Sequence, residues 1–179
     1  MIVKYSDFEA SLQRKKFHSN YFLFGPDAFL LDQAKQAFLR AVEEESSGQL
    51  SQTTLDLDDS SVDELLNAAQ SLSMFAPREL IFVKAVMKLR ENQGKKLAAY
   101  FGNPNPQTIV VFIAGDLDRD QRKKKIFDIL VSGTKVVELA VLEAQEVRVW
   151  IEQQLKSRGF SIERPAVDFL LEQIGRAHV

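Results

Sequence analysis

Tyr21-Phe22-Leu23-Phe24-Gly25-Pro26-Asp27-Ala28-Phe29-Leu30 carries a strand, a turn and the start of a helix in one short run. The four apolar residues are closed by Gly25-Pro26, a pair that interrupts regular structure. Phe29, Leu30, Ala34, Ala37, Phe38, Ala41 and Val42 then recur at the three-and-four spacing of an amphipathic helix. The same unit returns downstream. Thr53-Thr54-Leu55-Asp56-Leu57 reads as a second strand, and Ser61-Val62-Asp63-Glu64 has the form of a capping box followed by Leu65, Leu66 and Ala69 on an apolar face. Leu80-Ile81-Phe82-Val83 is a third strand, and Leu89 to Phe101 a helix weakened by Gly94. Thr108-Ile109-Val110-Val111-Phe112-Ile113 is a fourth strand without polar alternation, the pattern of a strand covered on both faces. A helix from Asp120 to Val131 and a fifth strand, Lys135-Val136-Val137-Glu138-Leu139, complete the series. Strands alternating with helices predict an α/β fold: a five-stranded, mostly parallel sheet with helices on both faces.

The strand signals stop after Leu139. Glu143 to Arg158 places Val147, Trp150, Ile151 and Leu155 at helical spacing before Gly159, and Pro165 suits the first turn of a further helix with Val167, Leu170 and Leu171. The expected organisation is one domain over residues 1–140 and the truncated start of a helical domain over 141–173, since two helices alone bury little surface. Ile174-Gly175-Arg176-Ala177-His178-Val179 resembles the translation of a sequencing adapter, so residues 174–179 are read as an artefactual tail and His178 receives no role.

Composition narrows the function classes. The absence of Cys excludes disulfides, thiolate metal sites and a Cys nucleophile. With 23 Lys plus Arg against 25 Asp plus Glu, the net charge of −2 gives no general attraction to phosphate backbones, so protein partners are expected ahead of tight nucleic-acid binding. The basic runs Arg14-Lys15-Lys16 and Arg122-Lys123-Lys124-Lys125 lack interleaved aromatics and read as solvated helix faces. No apolar run has membrane-spanning length and the first residues do not form a signal peptide, so a cytoplasmic protein is expected.

Gly25-Pro26-Asp27 occupies the strand-to-helix turn where α/β folds cradle phosphate on backbone amides. Here no Gly-Lys-Ser/Thr follows, Pro26 lacks an amide donor, and Asp27 puts a carboxylate where the phosphate would sit. Asp27 reads as a helix N-cap, and no nucleotide is expected in this degenerate phosphate turn. Asp56, Asp58 and Asp59, with Asp116, Asp118 and Asp120, follow strands and could gather around magnesium, but Asp is also ordinary turn chemistry. The alternative function drawn from them is a magnesium-dependent phosphoacceptor enzyme using Asp56, Asp58 and Asp116 with Lys84 or Lys135. His18 lies in a polar stretch and reads as a loop residue.

Ser71-Leu72-Ser73-Met74-Phe75-Ala76-Pro77-Arg78 is unusual because bulky apolar residues fill a turn between a helical pattern ending near Ser73 and the third strand. They either cap the core or form a contact surface.

Four stretches in register carry a resemblance to the delta subunit of bacterial DNA polymerase III: Tyr21 to Leu30, Leu72 to Leu80, Thr108 to Ala114, and Val149-Trp150-Ile151 with Gly159-Phe160-Ser161-Ile162. The resemblance spans residues 20 to 173. It implies a clamp-loader subunit with an N-terminal AAA+-type domain degenerate at its nucleotide site, then a small helical lid, and a C-terminal helical collar that these residues do not include. By position it assigns Leu72, Met74 and Phe75 to clamp binding, with Met74 and Phe75 as an apolar pair that plugs a pocket of the sliding clamp (beta) and disfavours the closed ring. Met at this place is adaptable enough for such a role. The implied function is a non-catalytic subunit of a DNA-directed DNA polymerase holoenzyme that opens the clamp during replication. No catalytic residue, metal or other cofactor is implied. The implied partners are the clamp, the other loader subunits joined through the collar, and DNA indirectly within the loader, with no membrane. A loader relative that retains ATPase activity is disfavoured by the missing phosphate-loop Lys.

Overall fold

A computed structural model describes residues 2–3, 5–71, 76–140, 144–157 and 159–176. Its backbone divides into two compact units, Met1–Ala140 and Val141–Val179.

The first unit is a six-stranded sheet. Its strands are β1 (Ile2–Val3), β2 (Asn20–Phe24), β3 (Leu50–Asp56), β4 (Arg78–Lys84), β5 (Thr108–Ala114) and β6 (Lys135–Glu138), in the order β1-β6-β2-β5-β4-β3. All described pairings are parallel. The five expected strands are present. The sixth, β1, is a two-residue edge strand pairing Ile2 with Val136 and Val3 with Val137, too short to leave a periodic signal. Five helices cross between the strands: α1 (Tyr5–Gln13), α2 (Ala28–Glu45), α3 (Val62–Gln70), α4 (Glu91–Gly102) and α5 (Lys125–Gly133). Helix α1 was also absent from the sequence reading, because among its described side chains only Phe8 and Leu12 are buried apolar residues.

The pleat of β2 explains the layers. Successive strand side chains point to opposite faces, so Phe22 and Phe24 join the core formed with Val62 and Leu65 of α3, Leu97 and Tyr100 of α4, and Ile126 and Leu130 of α5. Tyr21 points the other way, where its ring meets Phe8 of α1 and Phe38 of α2 edge-on at centroid distances of 6.3 and 4.7 Å. Helices α1 and α2 run with strand steps in one direction across the sheet, whereas α3, α4 and α5, on the opposite face, run with steps in the other. Every crossover therefore has the same hand, as right-handed βαβ connections require. Gly94 no longer looks like a simple weakness in α4: a Cβ there would stand 2.9 Å from Cδ1 of Ile129, so its bare backbone lets α4 and α5 approach.

One expected helix is broken. Asp118 Oδ1 accepts the amides of Asp120 and Gln121 at 2.9 and 2.7 Å, a 3-10 turn spans Gln121–Lys123, and Lys124 is extended before α5 starts. Asp118 thus offers the backbone a local turn in place of a helical ladder.

The second unit contains α6 (Ala144–Ser157) and α7 (Arg164–Arg176). Gly159, at φ +79°, follows α6, where the amide of Phe160 reaches Leu155 O at 2.9 Å and closes the helix end. Ile151 and Val167 are buried and Arg148 pairs with Asp168, whereas Val149, Phe160, Phe169 and Leu170 remain exposed. Ile174, Gly175 and Arg176 continue α7, and residues 177–179 lie outside the described residues. Among the described residues no helix is long and apolar enough to cross a membrane.

Candidate functional site

In a parallel sheet with helices on both faces, ligands bind at the carboxyl ends of the strands where neighbouring connections leave to opposite sides. Here that crevice lies between β2, whose chain leaves into α2, and β5, whose chain leaves toward α5. Gly25, Pro26 and Asp27 stand at it, with Gly115 to Asp118 beside them. The amide of Gly25 donates to Gly115 O at 3.3 Å, and that of Leu139 to Phe24 O at 2.7 Å. These bonds draw the ends of three strands together. A Cβ on Gly25 would stand 2.1 Å from Leu139 O, so only glycine fits.

The polar groups of the crevice are directed at one another. Asp27 Oδ1 accepts the amides of Phe29 and Leu30 at 2.9 and 3.2 Å, so a carboxylate holds the α2 amides that a phosphate would use. Arg122 donates from Nε to Leu117 O at 3.0 Å and from Nη2 to Glu138 Oε1 at 2.8 Å, with its guanidinium 5.1 Å from the Phe24 ring centroid. The sequence reading placed Arg122 on a solvated face, and nothing in the sequence marks Glu138 as its partner. Its neighbours are also engaged: Lys123 with Asp120 at 3.0 Å and Lys125 with Glu91 at 2.9 Å.

The carboxylates considered for magnesium do not converge. Asp56 ends β3 and Asp116 follows β5, and with β4 between them their strands lie about 10 Å apart. Asp58 pairs with Lys88, while Asp56 Oδ1 accepts the amide of Asp58 at 3.0 Å. Lys84 sits opposite Asp56 in register, but Lys135 is the first residue of β6, at the amino ends of the strands, where a parallel strand cannot bring it to the carboxyl ends. Among the described residues no group of three His, Asp or Glu side chains is placed to hold a metal ion. His18 also lies at the amino edge, its amide donating to Tyr21 Oη at 3.0 Å.

Leu72, Met74 and Phe75 lie outside the described residues. Their flanks are described. Helix α3 ends at Gln70, earlier than the expected Ser73, because Ser71 turns extended and its hydroxyl donates to Asn67 O at 2.6 Å. On the other flank Arg78 opens β4 and grips Glu45 at the end of α2 with a two-pronged fork, Nε to Oε2 at 3.1 Å and Nη2 to Oε1 at 2.9 Å. Hydrogen bonding to Arg78 holds the Glu45 carboxyl below its usual range, and the same bond raises the Arg78 guanidinium. Burial alone pushes the neighbouring Glu79 carboxyl up.

Strand order and crossover hand define a doubly wound parallel α/β domain, and its strand-end turn carries Asp27 where phosphate-binding turns of this architecture carry Gly-Lys-Ser/Thr. A sequence-family model described as DNA polymerase III, delta subunit, matches residues 21–140, and the chain belongs to that family. DNA polymerase III subunit delta of Bacillus subtilis is 23% identical over 169 residues, covering 90% of this chain and 48% of the relative. Among solved structures, the Bacillus subtilis DNA clamp loader delta protein superposes with a TM-score of 0.70 at 22% identity, covering 93% of this chain and 51% of that one. A Thermotoga maritima RuvB variant shares the fold at a TM-score of 0.51 and 14% identity, over 92% of this chain and 52% of that one. The chain spans about half the length of these relatives.

Proposed function

We propose that this chain acts as a clamp-loader subunit of DNA polymerase III that binds the sliding clamp and opens it, working in the cytoplasm and using no nucleotide of its own. The observation that carries this reading is the match of residues 21–140 to the delta family. The strand-end crevice supports its second half, because the α2 amides are held by Asp27 and the mouth is bridged by Arg122 and Glu138. Leu72, Met74 and Phe75 supply the apolar contact. Burying Met74 and Phe75 in a clamp pocket contributes roughly 1.5 to 3 kcal/mol each before ordering costs. Only the share of that energy denied to the closed ring favours opening. Association with the other loader subunits, and through them with DNA, belongs to the part of the protein that the longer relatives carry beyond this length.

The test is calorimetric binding of the full chain to a bacterial sliding clamp, beside the double variant Met74→Ser, Phe75→Ala. The expected outcome is a loss of at least about 100-fold in a variant that stays folded, as anchors at the centre of an interface give. Equal affinity would reject the assigned pair, and global unfolding would identify it as a core cap instead.

A further inference from the structure

Helices α4 and α5 both run from the carboxyl edge of the sheet back to its amino edge, and their C-terminal ends meet there. A cleft of about 310 Å³ opens at this place, with Asn20, Pro104, Ser132, Gly133 and Thr134 in its lining. A helix C-terminus carries partial negative charge, which Lys or Arg in the last turn ordinarily offsets. Neither helix has a basic residue there. Asn20 is only 5% exposed, and its Oδ1 is buried without a hydrogen-bond partner. The side chain shares a face with Phe22 and Phe24, so it points toward the layer of α4 and α5. Thr108 Oγ1, on the same face of the adjoining β5, is likewise buried and unpartnered. His18 and Lys135 also line the cleft, but both go with Tyr21. Lys135 pairs with Tyr21 in register and the His18 ring stands edge-on to the Tyr21 ring at 5.9 Å, so they belong to the face covered by α1 and α2.

We propose that this cleft binds a primary ammonium group, of the kind a lysine side chain or a polyamine presents. Three N–H donors and a positive charge suit a site made of acceptors, here Asn20 Oδ1 and the carbonyl end of α5. At that end Ile129 O and Leu130 O already accept the hydroxyls of Ser132 and Thr134 at 3.1 and 2.7 Å, and the later carbonyls have no donor within the helix. An anion is disfavoured on the same ground, because it would face two negative helix ends and an amide oxygen. The cleft has the size of a small-molecule site, and Pro104 offers an apolar wall to the methylenes of an alkylamine. A buried amide oxygen without a donor destabilises the fold, whereas leucine at position 20 would extend the apolar run of β2. Folding and ligand binding therefore pull in opposite directions at Asn20.

The experiment titrates the isotope-labelled full chain with Nα-acetyl-lysine methylamide, with spermidine and with uncharged n-butanol, following the amide resonances of residues 19–21 and 132–135 by NMR. The two amines should shift these resonances saturably in the millimolar range, and n-butanol should not. The tighter amine identifies the source of the ammonium as a side chain or a polyamine. Asn20→Leu should weaken amine binding by at least about tenfold while its urea midpoint stays at or above that of the parent, because it removes an unpaired buried oxygen. Asn20→Asp should tighten binding by about tenfold, since an ionised acceptor makes the stronger hydrogen bond. If that variant does not fold, Asn20→Leu decides alone. No saturable shift with either amine, equal shifts with n-butanol, or amine binding that survives Asn20→Leu overturns the inference. It does not draw on the clamp-binding reading, and the two stand or fall separately.

Discussion

The two edges of the sheet solve different problems with the same kinds of residue. At the carboxyl edge, Asp27, Arg122 and Glu138 turn inward and satisfy backbone or one another, so the crevice that serves ligands in this architecture is committed to holding β2, β5 and β6 together. At the amino edge, Asn105 and Arg78 tie the end of α3, the loop before β5 and the end of α2 together, through Ser71 O, Pro106 O and Glu45. On the proposed reading, the first edge serves stability and the second flanks the clamp-contacting residues. Variants at the first should change unfolding without changing partner binding, whereas loss of Met74 and Phe75 beside the second should weaken partner binding and leave unfolding little altered.

The largest effect is expected at Gly25. A methyl group there meets the Leu139 carbonyl oxygen at 2.1 Å, a backbone atom that cannot rotate away, so Gly25→Ala should cost about 3 kcal/mol in urea unfolding. Clamp affinity of the folded variant should be unchanged. A loss of affinity would mean that the two edges communicate. The double variant Met74→Ser, Phe75→Ala gives the mirror image. Its expected 100-fold loss of clamp binding corresponds to about 2.8 kcal/mol, with unfolding little altered, and a large drop in stability would erase the contrast by placing the pair in the core.

A smaller effect sharpens the same contrast. Asp27→Ala removes the acceptor of the Phe29 and Leu30 amides and should destabilise the protein by about 1 kcal/mol, as the loss of an N-cap does. Freeing those amides should not by itself create ATP binding, because Pro26 still lacks an N–H and no lysine follows the turn. ATP affinity appearing in this variant, read by calorimetry, would show that Asp27 alone keeps the crevice closed to phosphate.

Much of this was legible in the sequence, for physical reasons that differ by element. The runs Phe22 to Phe24 and Ile109 to Phe112 are buried on both faces and leave a dense apolar signal, and the Ser61 capping box announces itself because both partners lie within one turn. Asp27 could be read as a cap for the same local reason. Long-range polar partners could not. The bonds from Arg122 to Glu138, Arg78 to Glu45 and Asn105 to Ser71 span 16, 33 and 34 positions, and no local spacing encodes them. β1 and α1 escaped notice because two residues make no period and a pair of buried side chains makes a weak one. The helix expected from Asp120 failed because Asp118 captures the following amides.

The smallest effect tests how far charge holds the amino edge together. The bond from Arg78 favours the ionised form of Glu45, so the folded protein holds this carboxyl below its ordinary value of 4.5. A carboxyl depressed on folding contributes stability that is complete above the unfolded value and is lost as pH falls through the folded one. Glu45→Gln should therefore cost roughly 0.5 to 1 kcal/mol at neutral pH, a modest figure because both side chains keep contact with solvent. The difference between parent and variant, measured by urea unfolding at successive pH values, should stay constant from pH 7 to about 5 and vanish in stronger acid. Glu79, next to Arg78 in β4, acts in the opposite sense. Burial raises its carboxyl, so its contribution is lost as pH rises through the folded value. The parent profile alone mixes the two carboxyls, and subtracting the Glu45→Gln profile separates them. A difference that persists undiminished into strong acid would show that the fork acts through packing of the Arg78 side chain and not through charge.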